Sequence, residues 1–173
     1  MLTLILGGAR SGKSAHAEAM AREAESAGRS VVYIATGAAG DEEMAARIAH
    51  HRMRRPASWR TVEEPIRLAD TLVREARPDR FLLVDCLTLW ITNLLLAELS
   101  PQAAEQAALL QALPGLPGET VLVSNEVGMG LVAADPLSRR FVDETGRLHQ
   151  AIAALADRVV LVAAGCVLPL KGR

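Results

Sequence analysis

The run Gly7-Gly8-Ala9-Arg10-Ser11-Gly12-Lys13-Ser14 restricts the possible folds more than any other part of this chain. It satisfies the phosphate-loop pattern G-x-x-x-x-G-K-[ST], and its flanks are the ones that pattern needs. Ahead of it lies a short apolar run, Leu2 to Leu6, which reads as a buried strand. Behind it, Lys13 to Ala27 is rich in Ala, Glu and Met and stops at Gly28, which reads as a helix with its terminator. Glycines let the backbone curl so that successive N–H groups converge on an anion. The helix start adds its positive end. On this reading Gly7, Gly8, Ala9, Arg10, Ser11, Gly12, Lys13 and Ser14 cradle a nucleotide's polyphosphate. Lys13 brings a point charge to the outer phosphates, and the Ser14 hydroxyl is placed to ligate Mg2+. Motors, switches, kinases and transferases share such a loop, so it does not by itself choose the reaction.

The remainder repeats a strand–helix rhythm. Strands are expected at Val31 to Ala35, Phe81 to Val84, Thr120 to Ser124 and Arg158 to Ala163. Helices are expected at Asp41 to Met53, Pro65 to Ala76, Thr88 to Leu99, Pro101 to Leu113, and from Asp135-Pro136 to Ala156, where proline takes its favoured first position. The tail from Cys166 to Leu170 reads as a short edge strand, with Pro169 weakening it. Strands that are apolar throughout and separated by helices point to an α/β fold, a mostly parallel sheet covered on both faces. The 173 residues suit one catalytic domain spanning 1–173.

Several functional classes are disfavoured. A net charge of −1 gives no field for gathering nucleic acid. The longest apolar stretch, Phe81 to Leu99, contains Asp85, Thr88, Thr92, Asn93 and Glu98, which a bilayer span would tolerate poorly, so no membrane insertion is expected. With the phosphate loop beginning at Gly7, no room for a targeting segment is evident, and a cytoplasmic protein is expected. The two cysteines, Cys86 and Cys166, lie in apolar contexts and read as buried reduced thiols.

Two further sites bear chemistry. Asp85 follows the apolar run Phe81-Leu82-Leu83-Val84. An acid at the carboxyl end of such a strand helps hold Mg2+ or orient substrate; otherwise it caps the next helix. The segment Asp41 to Arg55 reads DEEMAARIAHHRMRR. At about 3.6 residues per turn, Met44, Ile48 and His51 share one face. His50 falls on the polar side with Glu43, Arg47 and Arg54. The arginines around the pair suit an anion site or a plain solvated basic face. A neutral imidazole can attack phosphorus and pass the group onward. His16 and His149 lack such company and read as structural or exposed.

Taken together, these stretches resemble the bifunctional adenosylcobinamide kinase / adenosylcobinamide-phosphate guanylyltransferase family of cobalamin biosynthesis. The resemblance covers nearly the whole chain. It rests on the phosphate loop, Tyr33-Ile34-Ala35-Thr36, DEEMAARIAHH, Arg55 to Glu63 (RPASWRTVE), Val84-Asp85-Cys86-Leu87-Thr88, and Ser124 to Gly130 (SNEVGMG). It implies a RecA-like P-loop fold, a homotrimer, and two reactions. ATP or GTP phosphorylates the aminopropanol hydroxyl of adenosylcobinamide; GTP then guanylylates the adenosylcobinamide phosphate, giving adenosylcobinamide-GDP and pyrophosphate. The resemblance places the guanylyl-carrying histidine at His50. It places nucleotide contacts on the phosphate loop, Ile34, Ala35, Thr36, His51, Arg52, Met53, Arg54, Glu63 and Asp85. Some relatives carry Glu where Asp85 stands, which leaves a guanine or a metal contact open there. Asn125-Glu126-Val127-Gly128 lacks the N-K-x-D pattern of switch GTPases, so guanine must be read elsewhere, by Glu63 or Asp85. Asn125 and Glu126 either face substrate or metal, or form a turn. The rival readings are a small-molecule kinase without the covalent histidine and a nucleotide-dependent switch or ATPase.

Overall fold

The computed structural model describes residues 1–37, 56–97 and 102–172. The expected helix at Asp41 to Met53, with His50, His51, Arg52, Met53 and Arg54, lies outside the described residues. Seven strands form one sheet: β1 (Leu2–Gly7), β2 (Ser30–Ala35), β3 (Arg60–Glu63), β4 (Arg80–Asp85), β5 (Glu119–Asn125), β6 (Arg158–Ala163) and β7 (Cys166–Lys171). The described helices are α1 (Lys13–Ser26), α2 (Leu68–Glu75), α3 (Leu87–Leu96), α4 (Gln102–Ala112) and α5 (Pro136–Leu155). The strand order is β3-β2-β4-β5-β1-β6-β7, and every pair is parallel except β6 with β7.

Alternation along the buried strands explains the helices on both faces. Leu2, Leu4 and Leu6 of β1, Val32 and Ile34 of β2, and Leu82 and Val84 of β4 join one core. Leu68 and Leu72 of α2, Trp90 and Ile91 of α3, Leu109 of α4, and Leu148 and Ile152 of α5 cover that face. The intervening side chains, Ile5, Val31, Tyr33, Phe81, Leu83, Val121 and Val123, turn to the other face. There they meet Ala17, Ala21 and Ala24 of α1, whose small side chains allow the helix to lie close to the sheet. A strand buried on both sides reads as a nearly continuous apolar run, the pattern seen in the sequence, with Thr3, Thr120 and Ser124 among its buried polar members. Burying one such Leu or Val stabilises by about 1.5–3 kcal/mol.

The helix from Asp135-Pro136 forms as expected, with the Asp135 carboxylate accepting from the Ser138 amide at 2.8 Å. Two features differ from the sequence reading. Arg60–Glu63 forms a strand that was not anticipated, because RTVE is polar and pairs on only one side, with β2. Cys166 is exposed, since every residue of β7 is exposed at the sheet's edge; Cys86 is buried. The short edge strand expected at the tail forms, Cys166–Lys171, with Pro169 within it and an irregular register at Val159/Val160.

Candidate functional site

The loop between β1 and α1 is shaped by steric necessity. A Cβ on Gly7 would stand 2.5 Å from both the Ser11 Oγ and the Val162 carbonyl, so no larger residue fits. Gly12 has φ 98°, and Arg10 takes φ 56°, a left-handed conformation uncommon for a side-chain-bearing residue. The Ser11 amide donates to the Gly8 carbonyl at 3.2 Å, closing the loop on itself. Gly12 is the N-cap of α1 and has no side chain to cap the first-turn amides, which leaves that helix start suited to an outside anion. Lys13 is buried, and its ammonium donates to the Gly8 carbonyl at 3.2 Å, drawn back over the loop. Ser14 sits in the first helical turn, half-buried.

Outside contacts hold this loop from two directions. The Glu126 amide, just past β5, donates to the Gly7 carbonyl at 3.0 Å. The Gly165 amide, in the turn between β6 and β7, donates to the Ser11 carbonyl at 2.8 Å. That turn carries Ala164 at φ 51° and Gly165 at φ 79°.

The strand register brings the other candidate residues to the same edge. Ala35 is level with Glu63 on one side and with Asp85 on the other. Gly7 is level with Asn125. Asp85 follows Phe81 and Leu83 in alternation, on the face covered by α1. Its carboxylate accepts from the Tyr33 hydroxyl at 2.8 Å. It does not cap the next helix: α3 begins after Cys86, so the capping alternative for Asp85 falls away. The Asp85–Cys86 peptide is cis.

Beneath this edge runs a polar lattice that spacing in the sequence did not reveal. Thr36 is fully buried; its hydroxyl donates to the Cys86 carbonyl at 2.7 Å and accepts from the Cys86 amide at 2.9 Å. The Asn93 side-chain amide donates to the Thr36 carbonyl at 2.7 Å and to the Pro65 carbonyl at 3.1 Å. Asn125 donates to the Thr88 hydroxyl at 2.9 Å, and Thr88 contacts the Cys86 thiol at 3.1 Å. Burial, followed by the Asp85 charge, pushes the Cys86 thiol up from its ordinary value, while the Thr88 hydrogen bond, the Leu89 backbone and the Lys13 charge pull the other way. Asp85 and Lys13 therefore act on the same buried thiol in opposite senses. Ile34 is wholly buried, so its side chain serves the core. Ala35 and Glu63 end their strands at the edge, half-buried and exposed respectively. His149, in α5, bonds the Ser124 hydroxyl at 2.7 Å, and burial lowers its imidazole pKa against a smaller opposing effect of Glu126. His16 is half-buried, so both of these histidines are structural in position.

Among the described residues no cluster of three or more His, Cys, Asp or Glu side chains is arranged to hold a metal. Ser14 and Asp85, a hydroxyl and a carboxylate, offer hard oxygen donors near the loop, with Glu63 and Glu126 at the same strand edge. That set fits Mg2+, which takes one or two protein ligands and completes its shell with substrate phosphates and water. No described helix is long and apolar enough to cross a membrane.

A mostly parallel sheet with this loop after its first strand, and an acid at the carboxyl end of β4, defines the P-loop nucleotide-binding class. Solved structures agree at the level of fold. The flagellar accessory protein FlaH from Methanocaldococcus jannaschii superposes with TM-score 0.57 at 15% identity, over 99% of this chain and 78% of that one. A KaiC-like protein from Pyrococcus horikoshii gives TM-score 0.52 at 17% identity, over 99% and 79%. Within the class, the chain belongs to the cobinamide kinase / cobinamide phosphate guanyltransferase family, which matches residues 3–170. It is 59% identical to the bifunctional adenosylcobalamin biosynthesis protein CobP of Pseudomonas aeruginosa, over 99% of this chain and 98% of that protein. It is 43% identical to the bifunctional adenosylcobalamin biosynthesis protein CobU of Salmonella typhimurium, over 99% and 100%.

Proposed function

We propose that this enzyme phosphorylates the aminopropanol hydroxyl of adenosylcobinamide with ATP or GTP, then transfers GMP from GTP to the resulting phosphate. The observation that carries this reading is the shared strand edge, where the glycine loop with Lys13 stands on the same side of the sheet as Asp85, in a chain belonging to this family. In the first step the substrate oxygen attacks the γ-phosphorus, the hydroxyl proton is released, and the nucleoside diphosphate leaves. In the second, the His50 imidazole attacks the α-phosphorus of GTP and pyrophosphate leaves. The phosphate oxygen of adenosylcobinamide phosphate then attacks that phosphorus, freeing His50 and giving adenosylcobinamide-GDP.

Lys13 and the loop amides neutralise the phosphate that is displaced in each step, and holding the reactants in line supplies most of the rate. Ser14 and Asp85 would hold Mg2+, which would supply further charge neutralisation at the phosphates. Ile34, Ala35, Thr36, His51, Arg52, Met53, Arg54 and Glu63 complete the nucleotide's surroundings. Since the Thr36 hydroxyl and carbonyl are committed to Cys86 and Asn93, its part is to fix the strand ends rather than to touch the base. We further propose that the protein works as a homotrimer in the cytoplasm.

The test uses GTP labelled in its α-phosphate. The wild-type protein acquires an acid-labile, base-stable label that maps to His50. His50→Ala loses that label and guanylyl transfer while keeping phosphorylation of adenosylcobinamide. Label persisting in the variant removes His50 from the mechanism, and no label on the wild-type protein leaves a kinase without the covalent step.

A further inference from the structure

A cleft of about 360 Å3 opens beside the phosphate loop, with Ala9 as one wall. Thr88, Leu89 and Thr92 of α3, Phe141 of α5, and Asn125, Glu126 and Val127 at the end of β5 line the rest of it. We propose that this cleft receives the hydroxyl-bearing arm of the corrinoid acceptor during the phosphoryl-transfer step. The inference rests on the function proposed above and adds the place where the acceptor binds.

Position is the first argument. The cleft lies at the carboxyl ends of the strands, where ligands of parallel sheets bind. It shares Ala9 with the loop and Glu126 with the backbone bond to Gly7, so a group inside it is directly beside the bound phosphates. Size is the second. The cleft has room for a flexible side arm and not for a tetrapyrrole-like ring, which leaves the ring outside and only the arm reaching in. Charge is the third. The side chains around the cleft include one carboxylate, Glu126, and no cation among the described residues. A phosphate or a nucleotide would meet repulsion there, whereas a neutral amide-and-alcohol arm would find what a small-molecule site offers. Leu89, Val127 and Phe141 give it apolar walls, and Thr92, Asn125 and Glu126 give polar contacts. Asn125 is itself fixed by its bond to Thr88 at 2.9 Å, and the Glu126 carboxylate is steadied by the Gly128 amide. These polar groups are therefore held in place before the arm arrives.

The experiment fills the cleft. Leu89→Trp and Thr92→Phe in the full chain are assayed with ATP and adenosylcobinamide, alongside the affinity for a fluorescent GTP analogue. The expected result is a rise of about ten-fold or more in the acceptor KM, with the nucleotide Kd unchanged. An unchanged acceptor KM in folded variants overturns the inference, as does a matching rise in the nucleotide Kd, which would assign the cleft to the nucleotide. Hydrogen exchange on the wild-type protein gives an answer that needs no variant: adenosylcobinamide slows exchange in residues 87–92 and 126–128, and no slowing there overturns the proposal. A wild-type protein that phosphorylates no cobinamide overturns the functional reading itself and this inference with it.

Discussion

The two ends of the parallel sheet are built on opposite plans. At the amino ends of the strands, backbone and charge are tied to each other. The Met1 ammonium donates to the Gly118 carbonyl at 2.7 Å, and the Leu2 amide to the Asp157 carboxylate at 2.7 Å. Arg29 pairs with Glu119, and the buried Glu75 takes both Arg60 and Arg80. At the carboxyl ends the glycine loop presents uncapped amides, an acid and a buried lysine gather, and a cleft stands open. Each of these groups at the first end finds its partner within the chain. The second end is arranged for partners that come from outside. One end holds the sheet together and the other spends that rigidity on positioning.

This contrast predicts that substitutions at the two ends fail in different ways. The largest effect is expected at the carboxyl end. Lys13→Ala should slow both transfers by about 100- to 1,000-fold through lost charge stabilisation, with thermal stability nearly unchanged. Steady-state assays with calorimetry check this, and either reaction at wild-type rate would break the idea of one phosphate cradle. At the amino end, Gly118 has φ 81°, and a Cβ there would stand 2.3 Å from the Arg77 carbonyl. Gly118→Ala should therefore cost at least about 2 kcal/mol, lowering Tm by roughly 4–8 °C, while the folded fraction keeps its specific activity. Loss of activity without loss of stability would erase the division between the ends.

A smaller effect concerns pH. Burial lowers the His149 imidazole below its ordinary pKa of 6.5 in the folded chain. Below that value the unfolded ring takes a proton that the folded ring refuses, so the unfolded state binds more protons and stability rises with pH. His149 thus supports the fold fully above 6.5, and that support is lost as pH falls below it, with a slope of at most about 1.4 kcal/mol per pH unit. Urea midpoints between pH 7.5 and 5.5 should fall less for His149→Gln than for the wild type. The smallest effect is chemical: one thiol, Cys166, should react at once with a maleimide, and Cys86 only after denaturation. Two fast thiols would show that the edge lattice around Cys86 is open.

How much of this could be read beforehand depended on how local each signal is. The glycine loop and the strands β1, β2, β4, β5 and β6 announce themselves because each is a contiguous run whose physics lies within a few residues. Arg60–Glu63 was missed because an edge strand with exposed side chains has no apolar run to show. Cys166 was misjudged for the opposite reason: apolar neighbours suggested a core, yet β7 pairs on one side only and covers nothing. Asp85 was legible as an acid ending a buried strand; its Tyr33 partner, 52 residues away, was not. Thr36, Cys86, Thr88 and Asn125 come from separate strand ends and the start of a helix, and only folding brings them together.

The bond from the Gly165 amide to the Ser11 carbonyl carries a consequence for synthesis. β1, the strand that leads into the loop, is flanked by β5 and β6, both made far later in the chain. On the ribosome, an element born among the first residues must wait for a turn translated some 150 positions afterwards before its geometry is complete. A nascent chain therefore gains its grip on triphosphates late, and ligand in the cell rewards only molecules whose translation has passed that turn.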